Sequence, residues 1–153
     1  MENTSKKWLR PALFVAAAVV LLIVVLLTRT PDVSHTPKVS FLPVQLDKFV
    51  GEPYPAALAT GILALDDGYL RLEYQGTGDS DLLIWPPGFS IHIQGNTIHV
   101  LNKNGNEVAR VGDKIKAGGG QVPAVIVEKY IGQTLPADCL GPYWLVSEVI
   151  TDE

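Results

Sequence analysis

Two histidines carry the sharpest chemical signal in this 153-residue chain. Residues 89–101 alternate apolar and polar side chains on either side of Gly95-Asn96, a dipeptide suited to a two-residue hairpin turn. Closing the hairpin there sets Gln94 opposite Thr97, Ile93 opposite Ile98 and His92 opposite His99. Directly opposed residues share a face, with Cβ atoms about 5 Å apart. Two imidazoles at that distance can hold a divalent metal, which makes His92 and His99 the candidate metal ligands. Two ligands give only a weak site, because no H-x-x-x-H, cysteine cluster or carboxylate at fixed spacing completes the set. The plainer expectation is that Ile91, Ile93, Ile98 and Val100 face a core while the histidines face water. A three-residue turn would undo the pairing altogether.

The other chemistry-bearing residues point away from catalysis. Cys139 is the single cysteine, so no intrachain disulfide can form, and no cationic or helix-start setting is visible that would make it a nucleophile. No G-x-S-x-G is present for Ser-His-Asp chemistry. Gly118-Gly119-Gly120 matches neither a Walker loop nor a dinucleotide loop and reads as a tight turn or bulge with close backbone approach. Asp66, Asp67, Asp79 and Asp81 lack the ligand pattern of a calcium loop and read as solvated turns. No enzyme activity and no cofactor are expected. The aromatics beside turn residues, Trp85 before Pro86-Pro87-Gly88 and Tyr143-Trp144 after Gly141-Pro142, are expected to plug the ends of a β structure. The alternative is an aromatic contact surface of Trp85, Phe89, Tyr143 and Trp144 for a peptide or glycan.

The elements that must position these residues are strands. From residue 61 onward the hydrophobic period is two and glycine turns recur at short intervals. Strands are expected at 62–65 and 69–74 around Asp66-Asp67-Gly68, then at 81–85, 89–94, 97–101 and 107–111. A short strand at 114–117 is expected to stop at the triple glycine. Residues 122–130 read as a strand or mixed segment, 133–141 as a loop and 143–150 as the last strand. The expected fold class is all-β, a small OB-like barrel, with a β-sandwich as the alternative.

A pattern also resembles a family of small bacterial envelope proteins with no known activity. It runs Gly68-Tyr69-Leu70-Arg71-Leu72, Trp85-Pro86-Pro87-Gly88, Arg110-Val111-Gly112-Asp113, Gly118-Gly119-Gly120 and Cys139-Leu140-Gly141-Pro142-Tyr143-Trp144. The resemblance covers about residues 60–150 and implies a small extracytoplasmic β domain. In that family a cysteine often stands at the position of Tyr69, and the resemblance implies that it pairs with the equivalent of Cys139. This chain has tyrosine there, so that partner is missing.

The N-terminal part sets the expected location. From Pro11 to Leu27 there are seventeen residues without a charge or a hydrogen-bonding side chain, which as a helix would span about 25 Å of a bilayer. Lys6, Lys7 and Arg10 precede the run, so residues 1–10 are expected in the cytoplasm and the remainder outside it. No small-residue cleavage pattern follows, so residues 11–28 read as an uncleaved signal anchor in the cell membrane. Residues 29–60, rich in proline, read as a stalk to about Lys38 and then as an arm packing on the domain, with 61–153 as the extracytoplasmic body. From Thr30 onward eight Lys and Arg face fifteen Asp and Glu, a formal charge of −7. That balance repels phosphate backbones and argues against a nucleic-acid partner. The expected function is a membrane-anchored binding or assembly module of the cell envelope, with an envelope protein or glycan as partner. The alternatives are a weak metal-binding domain using the cross-strand histidines and a structural subunit that assembles through its transmembrane helix.

Overall fold

The computed structural model describes residues 36–47 and 55–151. The expected cytoplasmic tail and membrane span lie outside these residues, as do Phe49 and Val50 of the expected packing arm. No helix among the described residues is long and apolar enough to cross a membrane.

The body is mostly β. In chain order it contains β1 (Ala57–Asp66), β2 (Tyr69–Glu73), β3 (Ser80–Ile84), β4 (Ser90–Gln94), β5 (Thr97–Leu101), β6 (Glu107–Arg110), β7 (Lys114–Val122), α1 (Ala124–Ile131) and β8 (Tyr143–Thr151). Five strands close into a barrel in the order β1-β2-β3-β8-β7, and β4-β5-β6 form a separate three-stranded sheet. The β1–β2 hairpin pairs Asp66 with Tyr69 and leaves Asp67-Gly68 as a two-residue turn. Both turn residues have positive φ, 48° and 86°. Such a turn matches the twist of the strands it joins, and Asp-Gly suits it. β3 pairs with β8 in parallel, setting Leu82, Leu83 and Ile84 opposite Tyr143, Trp144 and Leu145.

The period of two sorts the barrel side chains into two layers. Leu63, Leu70, Leu72, Leu83, Trp85, Ile115, Ala117, Trp144 and Val146 fill one cluster. Tyr69, Leu82, Ile84 and Leu145 alternate with them and pack with Cys139 and with Val127, Tyr130 and Ile131 of α1. β3 and the start of β8 are therefore buried on both faces, which is why they read as continuous apolar runs. The small sheet adds Ile98, Val100 and Ala109 to the first cluster. It thus covers the barrel interior with one face and leaves the other to solvent.

Two sequence expectations are corrected. The triple glycine does not stop a strand: β7 runs through it for nine residues. A register shift between Gly118 and Gly119 marks a bulge opposite β8. Gly119 takes φ +140°, and a Cβ there would lie 1.9 Å from the Leu145 carbonyl oxygen. Only a residue without a side chain lets the two backbones come this close. The second correction concerns residues 122–130. The β-branched run Val125-Ile126-Val127 favours a strand by propensity, yet α1 forms here, starting after Pro123 and ending at Gly132. Val127, Tyr130 and Ile131 lie on its buried face at helical spacing, while Val125 stays exposed. Tertiary burial of that face overrides local preference.

The expected arm packs on the body, and the body begins earlier than residue 61. β1 starts at Ala57, and residues 36–47 run along the barrel. Ser40 N–H donates to the Gly68 carbonyl at 2.8 Å, and Leu46 N–H donates to the Tyr130 carbonyl at 2.9 Å. Between them Val44 forms a parallel bridge with Trp85. Gln45 is 3% exposed. Its Nε2 donates to the carbonyls of Ile84 at 3.0 Å and Val146 at 2.8 Å. These carbonyls lie at and just beyond the last β3–β8 residue pair, where the parallel strands part.

Three substitutions test these contacts. Gln45→Leu leaves two buried carbonyls without that donor and should cost about 2–4 kcal/mol in denaturant unfolding of the full chain in detergent. Gly119→Ala should cost more than about 3 kcal/mol, since backbone must move to admit a Cβ. Gly76→Ala should cost only about 1 kcal/mol, because a Cβ there meets nothing within 4 Å and only the backbone at φ +85° is strained. Equal effects of the two glycine substitutions would contradict the bulge geometry.

Candidate functional site

The hairpin register predicted from Gly95-Asn96 is the one observed. Gln94 pairs with Thr97, Ile93 with Ile98 and His92 with His99. The imidazole centroids are 6.3 Å apart, with their planes at 47°. β6 extends the row, placing Arg110 opposite His99. On this face His92 is exposed and His99 is partly shielded, while Ile98 and Val100 are buried beneath. Ile93, near the turn, is 36% exposed and escapes the core that the alternation assigned to it.

Glu107 completes the face in a way the sequence did not reveal. Its Oε2 lies 2.7 Å from His99 Nδ1, and its Oε1 accepts from Arg110 Nε at 2.5 Å. The Arg110 hydrogen bond, and after it the one with His99, hold the Glu107 carboxyl below its ordinary pKa. The same pairing raises Arg110. An ionised carboxylate only accepts hydrogen bonds, so Nδ1 is the donor and Nε2 of a neutral His99 carries the lone pair. Among the described residues no group of three or more His, Cys, Asp and Glu side chains is arranged to hold a metal ion.

The four aromatics do not form one contact surface. Trp85 is fully buried and Trp144 is 6% exposed, both in the interior cluster. The physical reason is the β alternation, which turns both indoles into the barrel together with Leu83 and Val146. Neither indole Nε1 has a hydrogen-bond partner within the protein. Phe89 and Tyr143 are half-buried and pack against different clusters. Phe89 stacks on Trp85, with ring centroids 5.9 Å apart and planes at 23°.

Phe89 instead helps to line a cavity of about 470 Å³ between the small sheet and β8. Pro86, Pro87 and Val108 add apolar surface, while Asp47, Lys103 and Glu148 supply charges. The turn on its rim is held in shape by Asn102, whose Oδ1 accepts from the backbone N–H groups of Asn104 at 2.9 Å and Asn106 at 3.1 Å. Lys103 lies close over Gly88, where an added Cβ would meet the lysine Cβ at 2.7 Å. A mostly apolar concavity with a few fixed polar groups is the usual form of a ligand site. The NKNGN turn was legible in sequence, but its approach to Pro86, Phe89 and β8 was not.

The expected solvated aspartates divide. Asp81 is 1% exposed. It accepts from Tyr74 Oη at 2.6 Å and from Gln121 Nε2 at 3.0 and 3.1 Å. This carboxylate joins the end of β7 to the β2–β3 connection. Asp66 and Asp67 are not buried, and Asp66 lies 3.5 Å from Arg71 Nε. The Arg71 guanidinium also donates to the Leu140 carbonyl, tying the 132–142 loop to β2.

Cys139 is 2% exposed and shares a cluster with Tyr69. Burial pushes its thiol up to about 11, against the partial relief that Arg71 offers. Burial, aided by a hydrogen bond to Asp138, pushes the Tyr69 hydroxyl up to about 12. The thiolate is the reactive form of cysteine. Comparison with family models, with curated proteins and with solved structures gave no match to this chain.

Alkylation of Cys139 by a maleimide at pH 8 should accordingly be at least ~50-fold slower in the native protein than in denaturant. Equal rates in the two states would contradict the burial.

Proposed function

We propose that this chain is a non-enzymatic binding module of the cell envelope, tethered by residues 11–28 with its β domain outside the cytoplasm, and that the cavity beside Phe89 receives a segment of a partner protein. The observation that carries the proposal is the shape and chemistry of that cavity: an apolar strip of Pro86, Pro87, Phe89 and Val108 with Asp47, Glu148 and Lys103 around it. An apolar side chain fits such a strip, and its neighbours can answer either charge at the rim. The apolar run at 11–27 and the family resemblance support the envelope location.

We also infer an OB-like barrel. Three antiparallel strands, a parallel pairing between the third and the last, and closure through the fourth support it. OB domains commonly bind with the loops between strands 1 and 2 and strands 4 and 5. Here the first of these is the tight Asp67-Gly68 turn, met by Ser40, and the second contains α1, met by Leu46. The arm touches both, which favours the cavity on the small-sheet side as the place for a partner.

The test is a photo-crosslinking residue placed at Lys103 in the full chain, in intact membranes, with the same residue at Val125 on the exposed side of α1 as control. A discrete protein adduct from position 103 that is absent from 125 is the expected result. Equal labelling from both sites, an adduct to glycan only, or no adduct would overturn the proposal.

A further inference from the structure

We propose that the outer face of the β4–β5–β6 sheet binds a divalent d-block cation through His92 and His99, with Glu107 as the positioning residue that aims the second imidazole. The inference is independent of the partner-binding role and uses a different face of the small sheet. It begins with register. His92 and His99 are directly opposed on neighbouring antiparallel strands, so their Cα atoms are fixed relative to each other by the sheet. Their ring centroids stand 6.3 Å apart. Two imidazole nitrogens about 2.0–2.1 Å from one ion put the ring centroids about 4.5–6.5 Å apart, depending on the angle at the metal, and the observed separation lies at the upper end of that range.

The second observation is what Glu107 does to His99. A histidine that binds metal almost always donates its other ring N–H to a carboxylate, carbonyl or water, which fixes the tautomer and raises ligand basicity. His99 already makes that bond, 2.7 Å from Nδ1 to Glu107 Oε2. Its Nε2 is thereby left as the lone-pair atom. Arg110 Nε donates to the other carboxylate oxygen at 2.5 Å, so one Glu107 oxygen is engaged by Arg110 and the other by His99.

Two imidazoles with the remaining positions open to water suit copper(II) best among the divalent first-row metals, with zinc and nickel weaker. Arg110, paired across the sheet with His99, carries the same sign as an incoming cation, and its ion pair with Glu107 reduces the repulsion. The tether expected at 11–27 would place this face outside the cytoplasm.

The experiment is titration of the full chain in detergent, without an affinity tag, with copper(II) and separately with zinc. Calorimetry would report affinity and electron paramagnetic resonance the copper ligands. One ion per chain with two nitrogen ligands is expected, copper binding more tightly than zinc. His92→Ala changes an exposed side chain and should weaken copper at least ~10-fold. Glu107→Gln should weaken it ~10–100-fold while both histidines remain. His35→Ala should change nothing. Circular dichroism would confirm that each variant is folded. Copper affinity unchanged by His92→Ala, loss of binding with His35→Ala, or no saturable binding below ~100 μM would overturn the proposal.

Discussion

The structure depends on how the barrel is closed between β3 and β8. Among the described residues this is the one parallel pairing between strands, and its registered part is three residue pairs long. Parallel pairing is slightly weaker per residue than antiparallel pairing. Beyond Ile84 and Leu145 the strands separate, and the carbonyls of Ile84 and Val146 would face an apolar interior. Gln45 fills that gap with its side-chain amide, while its backbone N–H donates to the Trp85 carbonyl at 2.9 Å. Trp85 N–H in turn donates to the Pro43 carbonyl at 2.9 Å. The proline-rich segment that precedes the domain in sequence is therefore part of its closure.

The remaining architecture follows from that constraint. Closing a barrel from only five strands leaves little interior volume, and two tryptophans lie in it. The bulge at Gly119 lets β7 approach β8 closely while the indole edge of Trp144 lies beside it. The small sheet then covers interior surface that the barrel strands leave open, contributing Ile98, Val100 and Ala109. Because one of its faces is committed to this task, its other face is free to carry the histidines, Glu107 and Arg110. The cavity beside Phe89 arises where the same sheet meets β8.

Legibility in the sequence followed the range of the interactions. The hairpins at Asp67-Gly68 and Gly95-Asn96 were readable because turn chemistry and alternation lie within a dozen residues, and the His92–His99 pairing came with them. Barrel closure was expected only as a class, since no local signal says that β3 meets β8 or that Gln45 lies between their ends. Glu107 was missed because a register shift between Val100 and Leu101 brings it toward His99. The triple glycine looked like a terminator because its role is set by the Leu145 carbonyl on another strand. Residues 122–130 read as strand or mixed because the β-branched residues favour strand, and only contact with the barrel exterior selects helix. Trp85 and Trp144 were drawn toward the surface as one alternative because neighbouring Pro-Gly turns suggest loops, whereas strand alternation sends them inward.

The contacts of Gln45 put residues 43–46 in the cooperative core rather than in a stalk. Native-state hydrogen exchange at the Gln45 and Trp85 amides, in the full chain, tests it most directly. Both should open only with global unfolding, as slowly as the Leu63 amide of β1. Exchange of either amide within ~10-fold of the unstructured rate, while Leu63 stays protected, would contradict it.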